Sequence, residues 1–178
     1  GDMELPIAGG AILKHAIVGK NFADYDSVIS LVRFKPHYLP RYGGTLKNLS
    51  ICMGSLAGKA WIHSGGKVST HYVYRDENTT SLAMADAAKG AVEAKKNRWM
   101  FFNVLAEVKG TDDCGHDLDM PAWGIFASLD PVAVDQVALD IAYRNSSLEE
   151  KEFHCIGMTQ MAEKIGVGST RYRLVEVQ

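Results

Sequence analysis

Short apolar runs separated by glycine and proline dominate the first part of the chain, a pattern typical of strands. Residues 5–8 and 12–18 flank the Gly9-Gly10 pair, which supplies the backbone conformations of a tight turn, and they predict a β-hairpin. The β-branched run at residues 28–32 predicts a strand that is covered on both faces and lies at the centre of its sheet.

The next part of the chain is interrupted by proline and glycine. Residues 34–44 contain two prolines and a glycine pair, so they predict a long loop after the strand. A short helix is predicted at residues 47–53, and the strand-like run at 60–62 follows a glycine-rich break. Residues 64–79 are polar and lack a clear period, which predicts a second loop.

Helical periodicity is clearest at residues 81–95. Met84, Ala88 and Ala91 share one apolar stripe, whereas Asp86 and Lys89 lie on the opposite, polar stripe. This segment predicts an amphipathic helix.

Asp130 and Pro131 mark the start of another helix. An aspartate there accepts hydrogen bonds from free amides, and a proline lacks the N–H that would stay unbonded. A last helix is predicted at residues 158–165, with Gly166 as its C-terminal cap, and strands at residues 99–108, 123–127 and 172–177. These elements predict a single α/β domain over residues 1–178, with a mixed sheet and helices packed on it.

Charge and cysteine content narrow the classes of function. The 19 Lys and Arg residues against 21 Asp and Glu leave no broad basic face, so we expect no nucleic-acid partner. No apolar run is long enough to span a bilayer, so we expect no membrane partner. The three cysteines are odd in number and far apart, which suits free thiols in a reducing, cytoplasmic location better than a disulfide framework.

The strongest candidate site is a stretch rich in cationic and hydrogen-bonding groups. Lysine supplies positive charge, amides at a glycine turn supply donors, and histidine exchanges a proton near neutral pH, a combination that suits an anion. Lys35 and His37 are the candidate catalytic groups, and the candidate ligand-binding residues are Gly43, Gly44, Lys47, Asn48 and the helix-capping Asp130. The alternative is a solvated loop whose polar side chains bond to nearby backbone.

Two further motifs are weaker. Residues 54–59 resemble a phosphate-binding Walker A loop, but the spacing is one residue short and Ala60 replaces the magnesium-binding hydroxyl, which argues against nucleoside triphosphates. The loop at residues 112–119 contains Asp113, Cys114 and His116, which are candidate ligands for a divalent metal. Because paired ligand spacing is missing there, a solvated acidic loop is the alternative.

Several separated motifs resemble one family. The segments FKPH at residues 34–37, GGTLKN at 43–48, GKAWIH at 58–63 and ASLDPVAVD at 127–135 follow the order found in the prokaryotic family catalogued as domain of unknown function 362. Its members are often labelled iron–sulfur centre proteins. The resemblance implies that the candidate site lies on the family's shared polar surface and that the chain is the C-terminal portion of a longer member. It supplies no reaction.

The chain departs from these relatives at three places. Many relatives carry a ferredoxin-like insert with clustered cysteines after the segment matching residues 58–63, and this chain has none, so we expect no intrinsic iron–sulfur cluster. The segment containing Cys114 lacks one of two cysteines that relatives often show there. Pro36 stands where relatives tend to have glycine and stiffens the turn between Lys35 and His37.

Two hypotheses for function follow. In the first, the domain binds a small anion or a metal, with an enzymatic role linked to redox chemistry. In the second, it is a non-catalytic interaction module that docks a redox partner protein or an N-terminal half of its own protein. The sequence identifies no cofactor.

Overall fold

Strands and helices follow one another along the chain in a computed structural model that describes residues 1–37, 41–96, 98–107, 121–144 and 157–177. The strands are β1 (Asp2–Pro6), β2 (His15–Gly19), β3 (Val28–Arg33), β4 (Lys35–His37), β5 (Arg41–Gly43), β6 (Trp99–Leu105) and β7 (Gly124–Ser128). The helices are α1 (Thr45–Lys47), α2 (Leu56–His63), α3 (Glu77–Lys95), α4 (Pro131–Arg144) and α5 (Met158–Lys164). A 3₁₀ turn covers Lys20–Asp24, and a π-helical turn, Asn48–Cys52, continues α1.

The largest sheet is mixed, and helices pack on it, as the sequence predicted. Its order is β3-β6-β7, with β3 parallel and β7 antiparallel to β6. The prediction that residues 28–32 form the central strand was wrong, because β6 is central and β3 lies at an edge of the described sheet. Nor is β3 covered on both faces, since the side chains of Ile29 and Leu31 are 71% and 68% exposed. An apolar run indicates a strand but does not specify its neighbours.

The N-terminal hairpin is confirmed with shorter strands. β1 and β2 pair in antiparallel fashion. The residues that connect them form no strand pairing, because the buried Asp86 carboxylate binds backbone amides of this connection. It accepts hydrogen bonds from the amides of Ala11, Ile12 and Leu13, each at 2.7 Å. Asp86 was predicted on a polar stripe, and this prediction was wrong, since a carboxylate with three amide donors can be buried on a helix.

α3 is the predicted amphipathic helix, but it begins earlier than residue 81. Asp76 caps it by accepting the Thr79 amide at 2.9 Å, which accounts for the earlier start. Lys89 was placed on the polar stripe as well, yet it is buried, and its ammonium group pairs with Glu93 at 2.6 Å.

Three predictions of local structure were wrong. Residues 34–44 include the β4–β5 hairpin rather than only a loop. Residues 60–62 are helical, because Ser55 caps α2 and the missing side chain of Gly58 lets that helix pass directly over the Ile17 carbonyl. Residues 172–177 form no strand within the described structure, and their side chains are exposed.

The two helices predicted near the C-terminus are confirmed. Asp130 caps α4, and Gly166 follows α5 with φ +79°, the left-handed conformation of a C-terminal cap. α4 packs on β6 and β7, while α5 contacts α3 and α4. The core therefore lies on one face of the three-stranded sheet.

Candidate functional site

The glycine pair predicted as an exposed turn is buried. Gly43 ends β5, where it pairs with Lys35 of β4, and Gly44 precedes the first turn of α1. Lys35 and His37 lie on β4, and their side chains are partly buried. The hairpin thus brings the predicted lysine beside the glycine pair.

Lys47 and Asn48 lie at the other end of the predicted constellation, in the helical segment after the glycines. Both are partly buried. The Asn48 side-chain amide donates to the Ser30 hydroxyl at 3.0 Å, which attaches the helical segment to β3. Asn48 therefore has a structural partner within the fold.

The amides that begin α1 are bound by Asp135 of α4, which is fully buried. Its two carboxylate oxygens accept hydrogen bonds from the Thr45 amide at 2.6 Å and the Leu46 amide at 2.9 Å. A carboxylate at this position satisfies unbonded helix amides and opposes their partial positive charge. The protein's own aspartate therefore occupies the place that the sequence assigned to an external anion.

Asn103 of β6 completes this buried polar hub, which consists of Thr45, Leu46, Asn103 and Asp135. The Asn103 side-chain amide donates to Asp135 at 2.7 Å and to the Val134 carbonyl at 3.0 Å. Its oxygen accepts from the Thr45 hydroxyl at 3.0 Å. The hub joins the central strand to two helices.

Gly44 is required at the hub by the close approach of Asp135. A Cβ atom on Gly44 would lie 2.6 Å from Asp135 Oδ1 and 2.9 Å from the Tyr42 ring. Any side chain here would push the carboxylate away from the helix amides. The glycine motif is thus explained by packing.

Burial raises the pKa of Asp135 to about 6, although the hydrogen bonds from Leu46, Asn103 and Thr45 favour the ionised form. Tyr42 lies against the same carboxylate. Its pKa is raised well above the usual range, first by burial and then by the negative charge of Asp135. The Tyr42 hydroxyl is buried without a hydrogen-bond partner of ordinary geometry among the described residues.

Asp130 also has partners inside the protein. One carboxylate oxygen accepts from the amides of Val132 and Ala133, at 2.8 and 3.1 Å, and the other accepts from the Ser169 amide at 2.8 Å. This predicted ligand-binding residue therefore caps α4 and ties the segment after α5 to it.

The predicted metal ligands Asp113, Cys114 and His116 lie outside the described residues. Within the described ranges, no group of three His, Cys, Asp or Glu side chains is placed to hold a metal ion. In that same part of the chain, no helix has both the length and the apolar character needed to cross a membrane.

Sequence reasoning did not place His63, which ends α2. Its ring lies 5.1 Å from that of Tyr74 and 5.5 Å from that of Tyr72, and the two tyrosines stack with centroids 6.0 Å apart. We call these three residues the His63 cluster. Burial and the positive charge of Lys47 lower the pKa of His63. Its position in the GKAWIH motif was the only indication in the sequence. The two tyrosines that contact it come from the loop at residues 64–79, which shows no periodic pattern.

Within the part of the chain that the structure describes, the outer face of the three-stranded sheet is mostly apolar and largely uncovered, and we call it the open face. Along β6, the buried side chains alternate with partly buried ones, which marks its two faces. The open face carries Ile29, Leu31, Met100, Phe102, Val104 and Ile125. A cavity of about 390 Å³ lies at the start of β3, where it is lined in part by Ile29 of the open face and by Phe22, Tyr25 and Met53.

The chain belongs to the family described as domain of unknown function (DUF362), whose model matches residues 1–140 of the 178. No curated protein and no solved structure matches this chain significantly. The expected family is therefore confirmed, and a function has to be argued from the site.

Proposed function

We propose that this domain is an interaction module whose open face is covered by an apolar helix of a separate partner protein. The single observation that carries the proposal is the exposure of large apolar side chains on β3 and β7, opposite the face on which the helices pack. This choice corresponds to the second of the two hypotheses drawn from the sequence.

The parallel pairing of β3 with β6 identifies the kind of occupant. All-parallel sheets are almost always covered by helices on both faces, and the apolar outer side of the parallel β3–β6 pair in this mixed sheet favours the same kind of cover. Here α4 covers one face, while Ile29, Leu31 and Ile125 of the other remain exposed.

The cavity at the start of β3 gives the occupant a position. It is lined by Ile29 as well as by Phe22 and Met53, so one bulky apolar side chain of a helix on the open face would be accommodated at this edge of the sheet. Central anchors of this kind contribute most of the binding free energy in protein interfaces.

The anion hypothesis receives less support from the geometry. Its premise was a glycine turn with free amides, whereas Asp135 binds the Thr45 and Leu46 amides. The redox-linked role has no feature of the described residues behind it.

A designed amphipathic helical peptide with a leucine stripe tests the proposal. In methyl NMR spectra it should shift the resonances of Ile29, Leu31 and Ile125, and a peptide of the same composition with scrambled order should not. Leu31→Glu should abolish the shifts. Leu174→Glu, at another exposed leucine outside the sheet, is the matched control and should preserve them.

Analytical ultracentrifugation of the protein without peptide tests the alternative occupant of the open face, which is a second copy of this chain. A concentration-dependent dimer that dissociates in Leu31→Glu would show that a second copy covers the open face and would overturn the helical partner. The helical partner would also be overturned if neither peptide shifted the resonances of Ile29 and Ile125.

A further inference from the structure

Residues 172–177 have the composition of a strand but pair with no strand among the described residues. Tyrosine and valine favour extended backbone. The side chains of Leu174, Val175 and Val177 are 59%, 61% and 89% exposed. No backbone hydrogen bond joins residues 173–177 to another part of the described chain. This segment, which we call the 172–177 segment, therefore carries apolar side chains and backbone donors and acceptors that the fold does not use.

β7 offers an edge to which a strand can be added. It pairs with β6 along one side, and its other side has no strand partner in the described part of the chain. Natural sheets protect such edges with proline or charged side chains, whereas Gly124–Ser128 contains neither. β3, at the opposite edge, ends in the charged Arg33. The edge of β7 is therefore the less protected of the two.

The side chains of the two elements suit one continuous sheet. Neighbouring residues of a strand point to opposite faces, so Ile125 lies on the open face while Phe126 packs against the core. Leu174 and Val175 are likewise neighbours and both apolar. A strand added beside β7 thus places apolar side chains next to apolar ones on both faces, and such cross-strand pairs stabilise sheets.

Tyr172 fixes the point at which the segment leaves the fold. Its hydroxyl donates to the Asp140 carboxylate of α4 at 2.7 Å, and α4 packs on β7. The segment and the β7 edge are therefore both attached to α4. Each copy supplies one strand and one edge, so a two-fold axis that exchanges the strands closes the assembly at two copies.

We propose that two copies of this chain associate by strand exchange, in which the 172–177 segment of each copy adds to the edge of β7 in the other. Each pairing extends the mixed sheet from three strands to four. The added strand occupies the edge of the sheet, so the inference does not rest on the open face or on the helical partner proposed for it.

Analytical ultracentrifugation of the whole chain between roughly 10 μM and 1 mM tests the dimer. Combining Leu174→Pro with Val175→Pro removes two successive amides, which point to opposite sides of a strand, so dimerisation should weaken about tenfold or more. Leu56→Pro is the matched control, because this leucine is exposed and is the first residue of α2, where proline is tolerated. It should leave the dimer unchanged. Thermal unfolding curves will verify that both variants fold.

Hydrogen exchange locates the edge that accepts the strand. As the concentration of the wild type rises, amides of β7 should exchange more slowly, and those of the 172–177 segment should slow with them. Amides of β3 should not change, because its edge takes no strand.

A dimer that weakens in the double proline variant, persists in Leu56→Pro and Leu31→Glu, and protects the amides of β7 supports strand exchange. A monomer at all concentrations, or a dimer that the double proline variant leaves intact, would overturn it. Protection of the 172–177 segment that is independent of concentration would also overturn it, because that result indicates pairing within one chain.

Discussion

The two faces of the three-stranded sheet differ in how they use polar groups. The face under α4 contains Asn103 and Asp135, both fully buried, and each of their polar contacts is made within the protein. The open face has apolar side chains and no comparable buried polar network among the described residues. Directional hydrogen bonds therefore hold the helices in place on one face, whereas the other face offers only non-directional apolar contact.

Removing the Asp135 carboxylate tests the covered face most severely. Asp135→Ala leaves the Thr45 and Leu46 amides buried without an acceptor, so we expect the free energy of unfolding to fall by about 3 kcal/mol or more. Urea denaturation measures this change. Asp140→Ala, in the same helix but partly exposed, should cost less than about 1 kcal/mol. Equal losses in the two variants would show that the hub does not hold the helices.

The pH dependence of stability should come from the same carboxyl group. Its pKa is about 6 in the fold against 3.8 in a model peptide, so between these values the folded state holds the proton more tightly than the unfolded chain. The free energy of unfolding therefore falls by roughly 2 to 3 kcal/mol as the pH rises through this window. The difference in unfolding free energy between the wild type and Asp135→Asn, measured from pH 4 to 8, isolates this contribution. A pH-independent difference would contradict the assignment to Asp135.

Substitution of Gly44 should have a smaller effect, because the neighbours can move. Gly44→Ala places a methyl group against Asp135 and Tyr42, and overpacking of this kind costs roughly 1 to 3 kcal/mol. Gly19→Ala is the matched control, since a Cβ there meets no atom within 4 Å. Thermal unfolding of both variants should show a lower midpoint for Gly44→Ala alone.

The smallest effect on stability is expected on the open face. Leu31→Glu exchanges one exposed side chain for another, so the free energy of unfolding should change by less than about 0.5 kcal/mol. The same variant should nevertheless lose the helical peptide. A loss of stability comparable to that of Asp135→Ala would mean that Leu31 is already packed within the fold, and the contrast between the two faces would fail.

Much of the fold could be predicted from periodicity. The 3.6-residue repeat of α3 and the cap at Asp130 identified helices, and the β-branched run at residues 28–32 identified β3. The position of β3 in the sheet could not be predicted, because the pattern of apolar residues along a strand indicates which side chains are buried but not which strands lie beside it. The extent of α2 was also missed, since the close contact of Gly58 with Ile17 joins residues distant in sequence.

The candidate site was predictable only in part. Lys47 was identified from its motif, but His63 acquires its neighbours through a loop whose tyrosines carry no sequence pattern. Asp135 ends the ASLDPVAVD motif, but nothing local to that motif indicates its contact with Thr45, which lies 90 positions away. Aspartate side chains are rarely fully buried, so the residue type alone predicts that Asp135 is exposed.

The sequence by itself determined the family, the α/β class and the helix-capping role of Asp130, because these depend on local order and spacing. The tertiary structure alone decided that Asp86 and Asp135 are buried, since their amide donors come from segments far away along the chain. It also decided which sheet face remains open, because a strand's apolar pattern is the same whether a helix of its own chain or of a partner covers it.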